Sequence, residues 1–243
     1  MAQGGNQTET HYRTLDPARI IDTAERLLER IAARFPESGL RKVASELVSL
    51  SRDLSESAQR LAQPIWWLRI LTGAAIVAGA ALFIFVGTIL PFDRFSGGDA
   101  AESVQGIEAS INTLLLAGLG LVALFRAEQG IKRRRVLGEL HGLRSLIHVI
   151  DMHQLTKDPN VLSEGYKPTA KSAPHITDRF ELASYLDYCS EMLSITGKVA
   201  ALFAQSINDE VATDAVNDIE ALGSNLSRKI WQKITLIDGA SKR

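Results

Sequence analysis

An uninterrupted run of 21 uncharged residues, at positions 70–90, constrains the fold of this chain more than any other feature. As an α-helix it would be about 31 Å long, which matches the hydrocarbon thickness of a bilayer. Trp66, Trp67 and Arg69 directly precede it, and indole rings and arginines of this kind anchor helices at the headgroup level. The run therefore predicts a first membrane span at about residues 67–90, with these three side chains as interface anchors.

A second uncharged stretch, at positions 109–125, is shorter, but its flanking residues extend it to a predicted span at about 107–126. The polar connector at 91–106 contains proline and glycines. It cannot cross a bilayer itself, because its backbone groups would lie unpaired in lipid. The two spans therefore form a predicted transmembrane hairpin within the segment 64–127.

Basic residues near the ends of the spans predict the orientation of this hairpin. The connector contains one basic residue, Arg94. Four basic residues closely follow the second span: Lys132, Arg133, Arg134 and Arg135. Because positively charged flanks stay on the cytoplasmic side, both termini are expected in the cytoplasm and the protein is expected in the inner (plasma) membrane as a multi-pass protein. The same four residues could be a topology signal alone or a binding site for anionic lipid headgroups.

Helical periodicity dominates the regions outside the predicted spans, apart from residues 1–14, which are polar and expected to be a disordered tail. Asp16 before Pro17 is a helix start, because the carboxylate can cap free amides while proline needs no donor in the first turn. Residues 15–63 are predicted to form a helical hairpin. Its second helix carries a leucine-rich heptad seam that could pack within the hairpin or form a coiled coil with another copy.

The segments after the second span are predicted to be helical as well. A juxtamembrane helix at 128–155 is followed by a long loop at 156–176, where three prolines and a glycine interrupt any regular pattern. Residues 177–243 are expected to form a helical domain, whose first helix begins with Asp178 and Glu181 as a capping box and carries two apolar stripes. Each apolar stripe has to be buried against another helix, so this helix is expected inside a bundle. The predicted class is therefore all-α: a two-helix transmembrane hairpin with a cytoplasmic α-helical bundle.

The densest cluster of titratable side chains lies on the predicted juxtamembrane helix and consists of His141, His148, Asp151 and His153, of which the first three are the candidate site residues. A divalent metal or a pH-dependent contact is conceivable there. However, His141 and His148 are about 10 Å apart along a helix, too far for two direct ligands without a partner helix. His153 is expected to point about 100° or more away from the other two histidines. No metal site is therefore assigned, and the three residues are kept only as candidates.

Two further groups of polar residues have more than one interpretation. Asn112 and Thr113 lie within the second span and could line a pore in an oligomer, although such groups more often hydrogen-bond between helices. A late group could touch the membrane surface, but it is expected to be a polar rim beside a packed indole; it consists of Arg228, Lys229, Trp231 and Lys233.

The sequence carries no phosphate-binding glycine loop, nucleophile elbow, HExxH helix or paired-cysteine zinc motif, and its lone Cys189 is expected in the core. Lys plus Arg number 27 and Asp plus Glu 28, so the overall charge does not favour nucleic acid. We therefore predict a non-enzymatic protein without a cofactor. It would lie in membrane lipid, and its helical domain would bind other copies of itself or another membrane or cytoplasmic protein. Two alternatives stay open: a small oligomeric channel or membrane-permeabilising effector gated by the bundle, and a metal- or pH-responsive sensor.

Overall fold

The computed structural model describes residues 14–63, 65–89, 100–163, 165–172, 176–206 and 209–239. Within these residues every regular element is helical and no strand occurs, so the predicted all-α class is confirmed. The predicted disordered tail, apart from Thr14, and the first part of the predicted connector, residues 91–99, lie outside the described residues.

Six α-helices follow one another in the described chain, with a short 3-10 turn between the fourth and the fifth. They are α1 (Pro17–Arg34), α2 (Gly39–Ala62), α3 (Trp66–Ile89), α4 (Ala100–Leu155), α5 (Arg179–Ser206) and α6 (Glu210–Gly239). The chain divides into two compact units. We call Met1–Ala62 with Arg135–Arg243 the helical unit, and Gln63–Arg134 the apolar unit.

The start of α1 has the predicted cap. The side chain of Asp16 accepts a hydrogen bond of 2.9 Å from the backbone N–H of Ala18, and Pro17 occupies the first turn. The helix ends at Arg34, and the next residue, Phe35, caps it by donating its N–H to the carbonyl of Ile31 at 2.7 Å. Its buried face recurs every three or four residues, as an amphipathic helix requires: Ile20, Ala24, Leu27 and Ile31.

The leucine seam of α2 is buried inside the helical unit, at Leu40, Val43, Leu47, Leu54 and Leu61. The buried face is wider than a heptad seam predicts, because it also includes small residues: Ala44, Ser51, Ser55 and Ala58. Both serine hydroxyls donate to backbone carbonyls four residues earlier, at 2.7 and 2.6 Å. Since α2 packs on α1 and α5, the seam is used within the chain and is not available for a coiled coil with another copy.

The core of the helical unit is built around α5. Both predicted stripes of this helix are buried, and α1, α2 and α6 pack against it. Cys189 is 0% exposed, which confirms its predicted place in the core. Gly223 of α6 is buried against α5, where an added Cβ would make an ordinary contact of 3.5 Å with the backbone oxygen of Leu193. The predicted cap is present too, since the carboxylate of Asp178 accepts from the N–H of Glu181 at 2.8 Å.

The cap of α6 fixes the register of its first turn. Val211 is 41% exposed, whereas its neighbour Ala212 is buried. The cap explains this, since the carboxylate of Asp209 accepts from the N–H of Ala212 at 3.0 Å. From there the buried positions follow one stripe to the end of the helix: Val216, Ile219, Gly223, Leu226, Ile230, Ile234 and Ile237.

The connections on either side of α4 are more regular than predicted. Residues 100–106, expected to be part of a polar connector, belong to α4. After α4, a 3-10 turn at Pro159–Leu162 is capped by Asp158, whose side chain accepts a backbone N–H at 2.9 Å. Val161 and Leu162 pack against the core. The predicted loop therefore contains a short, capped helical turn near its beginning.

Candidate functional site

The apolar unit exposes the side chains that the sequence places in the spans. Two helical stretches, Gly39–Ala81 and Ile111–Leu162, each contain an 18-residue window that is apolar and long enough to cross a membrane. Only 6% and 0% of these windows are buried within the chain, whereas a core helix of a soluble protein would be mostly buried. Large apolar side chains that are 48–68% exposed are Ile70, Leu71, Ile76, Val77, Ile84, Ile111, Leu114, Leu115, Leu116, Leu119, Val122 and Phe125.

A carboxylate joins the start of α3 to α4 within the apolar unit. The backbone N–H of Ile65 donates to Oε1 of Glu128 at 3.3 Å, and Nζ of Lys132 lies 3.3 Å from the same oxygen. The carboxylate thus satisfies a free N–H just before α3, where a helix leaves its first donors unpaired. This contact places the beginning of α3 beside the part of α4 that follows its uncharged stretch.

The predicted interface anchors lie on the surface at this end of the apolar unit. Trp66 and Trp67 are 71% and 60% exposed, and Arg69 is exposed as well. Exposed indoles at the first turn of an apolar helix are typical of the headgroup region of a bilayer. Contact of these three residues with headgroups stays a prediction.

The four basic residues that follow the second predicted span have different surroundings in the structure. Lys132 is half-buried and paired with Glu128, whereas Arg133, Arg134 and Arg135 are exposed. Successive residues of an α-helix point about 100° apart, so consecutive cations surround the helix and do not form one face. Their predicted roles in topology and in lipid binding stay predictions, but the run is not a single binding surface.

The polar residues of the second predicted span are both exposed on α4. Asn112 and Thr113 lie among the apolar side chains of this stretch. In α3, Thr72 donates its hydroxyl to the carbonyl of Leu68 at 2.8 Å, which is the usual way for a helix to satisfy such a group inside a membrane. A pore lined by Asn112 and Thr113 stays a prediction.

The three candidate metal ligands do not form a site in the described part of the chain. His141 and His148 are exposed, and Asp151 accepts a hydrogen bond of 2.6 Å from the side chain of Gln154. Among the described residues no group of three His, Cys, Asp or Glu side chains could hold a metal ion. A metal role for His141, His148 and Asp151 therefore has no geometry to support it here.

A half-buried polar cluster surrounds His153, where α4 ends beside the start of α2 and the first part of α5. Nδ1 of His153 lies 3.4 Å from the hydroxyl of Tyr185, and the ammonium of Lys157 lies 4.9 Å from the centre of the same phenol ring. Burial, reinforced by the positive charge of Lys157, lowers the pKa of His153. Burial raises the pKa of Tyr185. Sequence reasoning missed this cluster, because only the packing of three helices brings its members together.

Lys233 closes the cluster at the C-terminal end of α4. Its ammonium donates to the backbone and side-chain oxygens of Gln154 at 2.8 and 2.7 Å, and to the backbone oxygen of Lys157 at 3.3 Å. Burial lowers the pKa of Lys233, and burial raises the pKa of the nearby Cys189 thiol to about 12. These contacts satisfy carbonyls that every helix end leaves unpaired. The cluster therefore holds the end of α4 in place.

The late basic group divides between the surface and the interior. Trp231 is 55% exposed, so the prediction that this indole is packed is wrong. Arg228 and Lys229 are exposed, whereas Lys233, expected in the rim, is half-buried and bonded to α4. The register of α6 explains both results, since Ile230 occupies the buried stripe and its neighbour Trp231 points about 100° away from it.

The described residues thus contain two distinctive features, an apolar unit with exposed side chains and a polar cluster at the end of α4. The first is long and apolar enough to cross a membrane, and the second joins the end of α4 to α5 and α6. Comparison with known proteins assigns no relative to the chain: no family model, no curated protein and no solved structure matches it.

Proposed function

We propose that this chain is a non-enzymatic integral membrane protein that crosses the inner (plasma) membrane twice. In this proposal α3 and the first part of α4 form a transmembrane hairpin with both termini in the cytoplasm. The helical unit is then a cytoplasmic bundle that binds other copies of the chain or a partner protein. Its role is to hold this binding domain at the membrane.

The observation that carries the proposal is the exposure of apolar side chains in the apolar unit. Transfer of one large apolar side chain out of water contributes about 1.5–3 kcal/mol. Twelve such side chains are 48–68% exposed there, which amounts to a free energy on the order of 10 kcal/mol. A domain stabilised by about 5–15 kcal/mol cannot leave that much apolar surface in water. Lipid is the environment that such a surface needs.

The charges at one end of the apolar unit support the orientation. Arg69 at the start of α3 is exposed, and the contact of Ile65 with Glu128 places this start beside the basic part of α4. The connector between the helices carries one arginine, Arg94. Because positive flanks stay on the cytoplasmic side, this end of the hairpin faces the cytoplasm in our proposal.

The surface of the helical unit supports a role in protein binding. Several large apolar side chains are exposed by 55–75% on it, namely Met152, Leu155, Phe180, Trp231 and Leu236. Aromatic residues and methionine are enriched in protein interfaces relative to other surfaces. Single exposed apolar residues are common on any protein, so partner binding is the part of the proposal that needs a direct test.

Fractionation followed by crosslinking tests both parts. We expect the full chain to sediment with membranes, to resist extraction by alkaline carbonate and to dissolve only in detergent. Crosslinking in the native membrane should then give a discrete adduct, and Trp231→Ala with Phe180→Ala should weaken it while leaving membrane insertion unchanged. Extraction by carbonate would contradict the membrane assignment. A chain that stays monomeric and uncrosslinked would contradict the binding role alone.

A further inference from the structure

A surface groove of about 390 Å³ lies between α1 and α2 in the helical unit. The residues that line it are Glu25, Leu28 and Glu29 from α1, and Ser45, Val48, Ser49 and Arg52 from α2. On each helix these positions recur every three or four residues, so they share one face of that helix. The groove therefore has a carboxylate-bearing wall on α1 and a hydroxyl-bearing wall on α2.

Two apolar side chains form the floor of this groove. Val48 is 5% exposed and belongs to the core of the helical unit. Leu28 is half-buried and packs against the same core. Small-molecule sites commonly combine an apolar lining with a few polar groups that fix the orientation of the ligand. The floor thus offers contact to a short alkyl chain.

An ion pair crosses the groove from one helix to the other. Nη2 of Arg52 donates to Oε1 of Glu25. Glu25 is the first lining residue of α1 and Arg52 is the last lining residue of α2, so their contact closes one end of the groove. The two opposite charges of the pair compensate each other.

The remaining polar groups of the groove are not used within the described chain. Among the described residues, no hydrogen bond or ion pair engages the carboxylate of Glu29 or the hydroxyls of Ser45 and Ser49. Two other serines of α2 differ, because the hydroxyls of Ser51 and Ser55 donate to carbonyls one turn earlier. The groove therefore has one uncompensated negative charge and two open hydroxyl acceptors.

We propose that this groove binds a primary aliphatic ammonium ion, the protonated form of a small linear amine. The ammonium donates to the carboxylate of Glu29 and to the hydroxyls of Ser45 and Ser49, since a primary ammonium has three N–H donors. Its alkyl chain lies on Leu28 and Val48. A charge-assisted hydrogen bond to a carboxylate is stronger than a neutral one, and one uncompensated carboxylate matches one cation.

The size of the groove favours a free amine over a lysine side chain of a partner protein. Its lining covers about two turns of helix, whereas a stable protein interface involves about 20–30 residues on each side. Its volume lies within the range of small-molecule sites, about 300–1,000 Å³. The inference goes beyond the proposed function and does not rest on the membrane assignment, because the groove belongs entirely to the helical unit.

Photolabelling of the full chain in detergent micelles tests the site. The probe is methyldiazirinyl-ethylamine, a primary amine with a photoreactive group on its short alkyl chain, and mass spectrometry of the digested chain locates the adduct. We expect the label to concentrate in the peptides of α1 and α2 and to be displaced by n-butylammonium. Butyltrimethylammonium has the same chain and charge but no N–H donor, so it should need at least about a tenfold higher concentration.

Matched variants separate this site from general surface charge. Glu29→Gln keeps the size of the side chain and should lower the labelling of α1 and α2 by about tenfold. Glu220→Gln also removes an exposed carboxylate, but from α6, and should leave this labelling unchanged. Ser49→Leu should abolish it by filling the groove without a change of charge. Helical circular dichroism checks that each variant is folded.

The proposal is overturned if folded Glu29→Gln is labelled like the wild-type chain, or if the two ammonium ions compete equally well. Nα-acetyllysine methylamide distinguishes the sources of the ammonium, because it presents the same group on a peptide backbone. We expect it to compete less well than n-butylammonium. Stronger competition by this lysine derivative would contradict the free amine as occupant.

Membrane fractionation of the same chain keeps this inference separate from the proposed function. A chain that carbonate extracts but that still takes up the label in the groove contradicts the membrane assignment alone. A membrane-inserted chain without labelling at α1 and α2 contradicts the amine site alone.

Discussion

The imidazole of His153, near the end of α4, lies directly against Gly39, the first residue of α2. A Cβ built on Gly39 would be 2.6 Å from Cε1 of the ring, closer than any relaxed contact between such atoms. Only glycine therefore lets α2 begin at this point while His153 keeps its place beside Tyr185. This contact links elements that are more than a hundred residues apart in sequence and separated by the apolar unit.

Replacement of this glycine should destabilise the helical unit. Gly39→Ala forces the ring of His153 to move and to give up its contact with Tyr185, which we expect to cost about 1 kcal/mol. Urea unfolding of the full chain in detergent micelles, followed by helical circular dichroism, measures the change. The cost should disappear in a His153→Ala background, because the obstructing ring is then absent.

Gly138→Ala is the control for this prediction. An added Cβ at Gly138 meets nothing within 4 Å, so alanine should stabilise α4 by up to about 1 kcal/mol through helix propensity. If Gly39→Ala is as favourable as Gly138→Ala, the packing of His153 on Gly39 does not constrain the fold.

The burial of His153 predicts a loss of stability in mild acid. The pKa of this imidazole is lowered in the folded chain by burial and by Lys157, whereas the unfolded chain has the ordinary value near 6.5. As pH falls through about 6.5, the unfolded chain takes up the proton first, so stability decreases until the pH reaches the folded pKa. We expect the urea concentration at the unfolding midpoint to decrease as the pH is lowered from about 7.5 to about 5.5.

Two variants assign this pH dependence to one residue. His153→Gln removes the titrating group and should flatten the profile between those pH values. His148→Gln, on the exposed face of the same helix, should leave the profile as in the wild-type chain. The assignment to His153 fails if His153→Gln keeps the full slope.

The contacts of Lys233 predict a second stability effect. Lys233→Met keeps the length of the side chain but leaves carbonyls of Gln154 and Lys157 without this donor. We expect a loss of about 1–3 kcal/mol in the same unfolding experiment, because buried acceptors would lose a charged partner. Lys229→Met removes an exposed lysine of the same helix and should change stability by less than about 0.5 kcal/mol. Equal losses of stability in Lys233→Met and Lys229→Met would mean that Lys233 does not stabilise the end of α4.

Cys189 should be inert in the folded chain. It is 0% exposed, and burial raises the pKa of its thiol to about 12, so the reactive thiolate is scarce near neutral pH. Maleimide should modify the native protein only at the rate at which the helical unit opens, and quickly in denaturant. An added Ser145→Cys, at an exposed position of α4, should take up one equivalent at once. Fast labelling of the wild-type chain would place Cys189 outside the core.

The helices of this chain could be predicted from its sequence because their signals are local. Two helix starts are predicted by residues at most three positions apart in sequence, Asp16 with Pro17 and Asp178 with Glu181. Both caps are present in the structure. The leucine seam of α2 predicts a buried face through periodicity, which needs no knowledge of the partner helix. Uncharged length likewise identifies the two helices suitable for crossing a membrane.

The parts that sequence reasoning missed depend on contacts between distant residues. His153 contacts Gly39 and Tyr185 because α2, α4 and α5 pack together. No local sequence pattern predicts these contacts. The exposure of Trp231 depends on the register of α6, in which the neighbouring Ile230 takes the buried position. At the first turn of α6, the cap at Asp209 likewise fixes that Ala212, and not the larger Val211, faces the core.

Labelling of single added cysteines in intact cells or spheroplasts tests the transmembrane hairpin most directly. Ser96→Cys places a thiol in the connector, and Ser145→Cys places one on the helical unit. With a membrane-impermeant maleimide we predict that Ser96→Cys reacts in unbroken cells and that Ser145→Cys reacts only after lysis. The opposite pattern, or equal protection of both thiols until lysis, would contradict a hairpin that crosses the membrane with both termini inside.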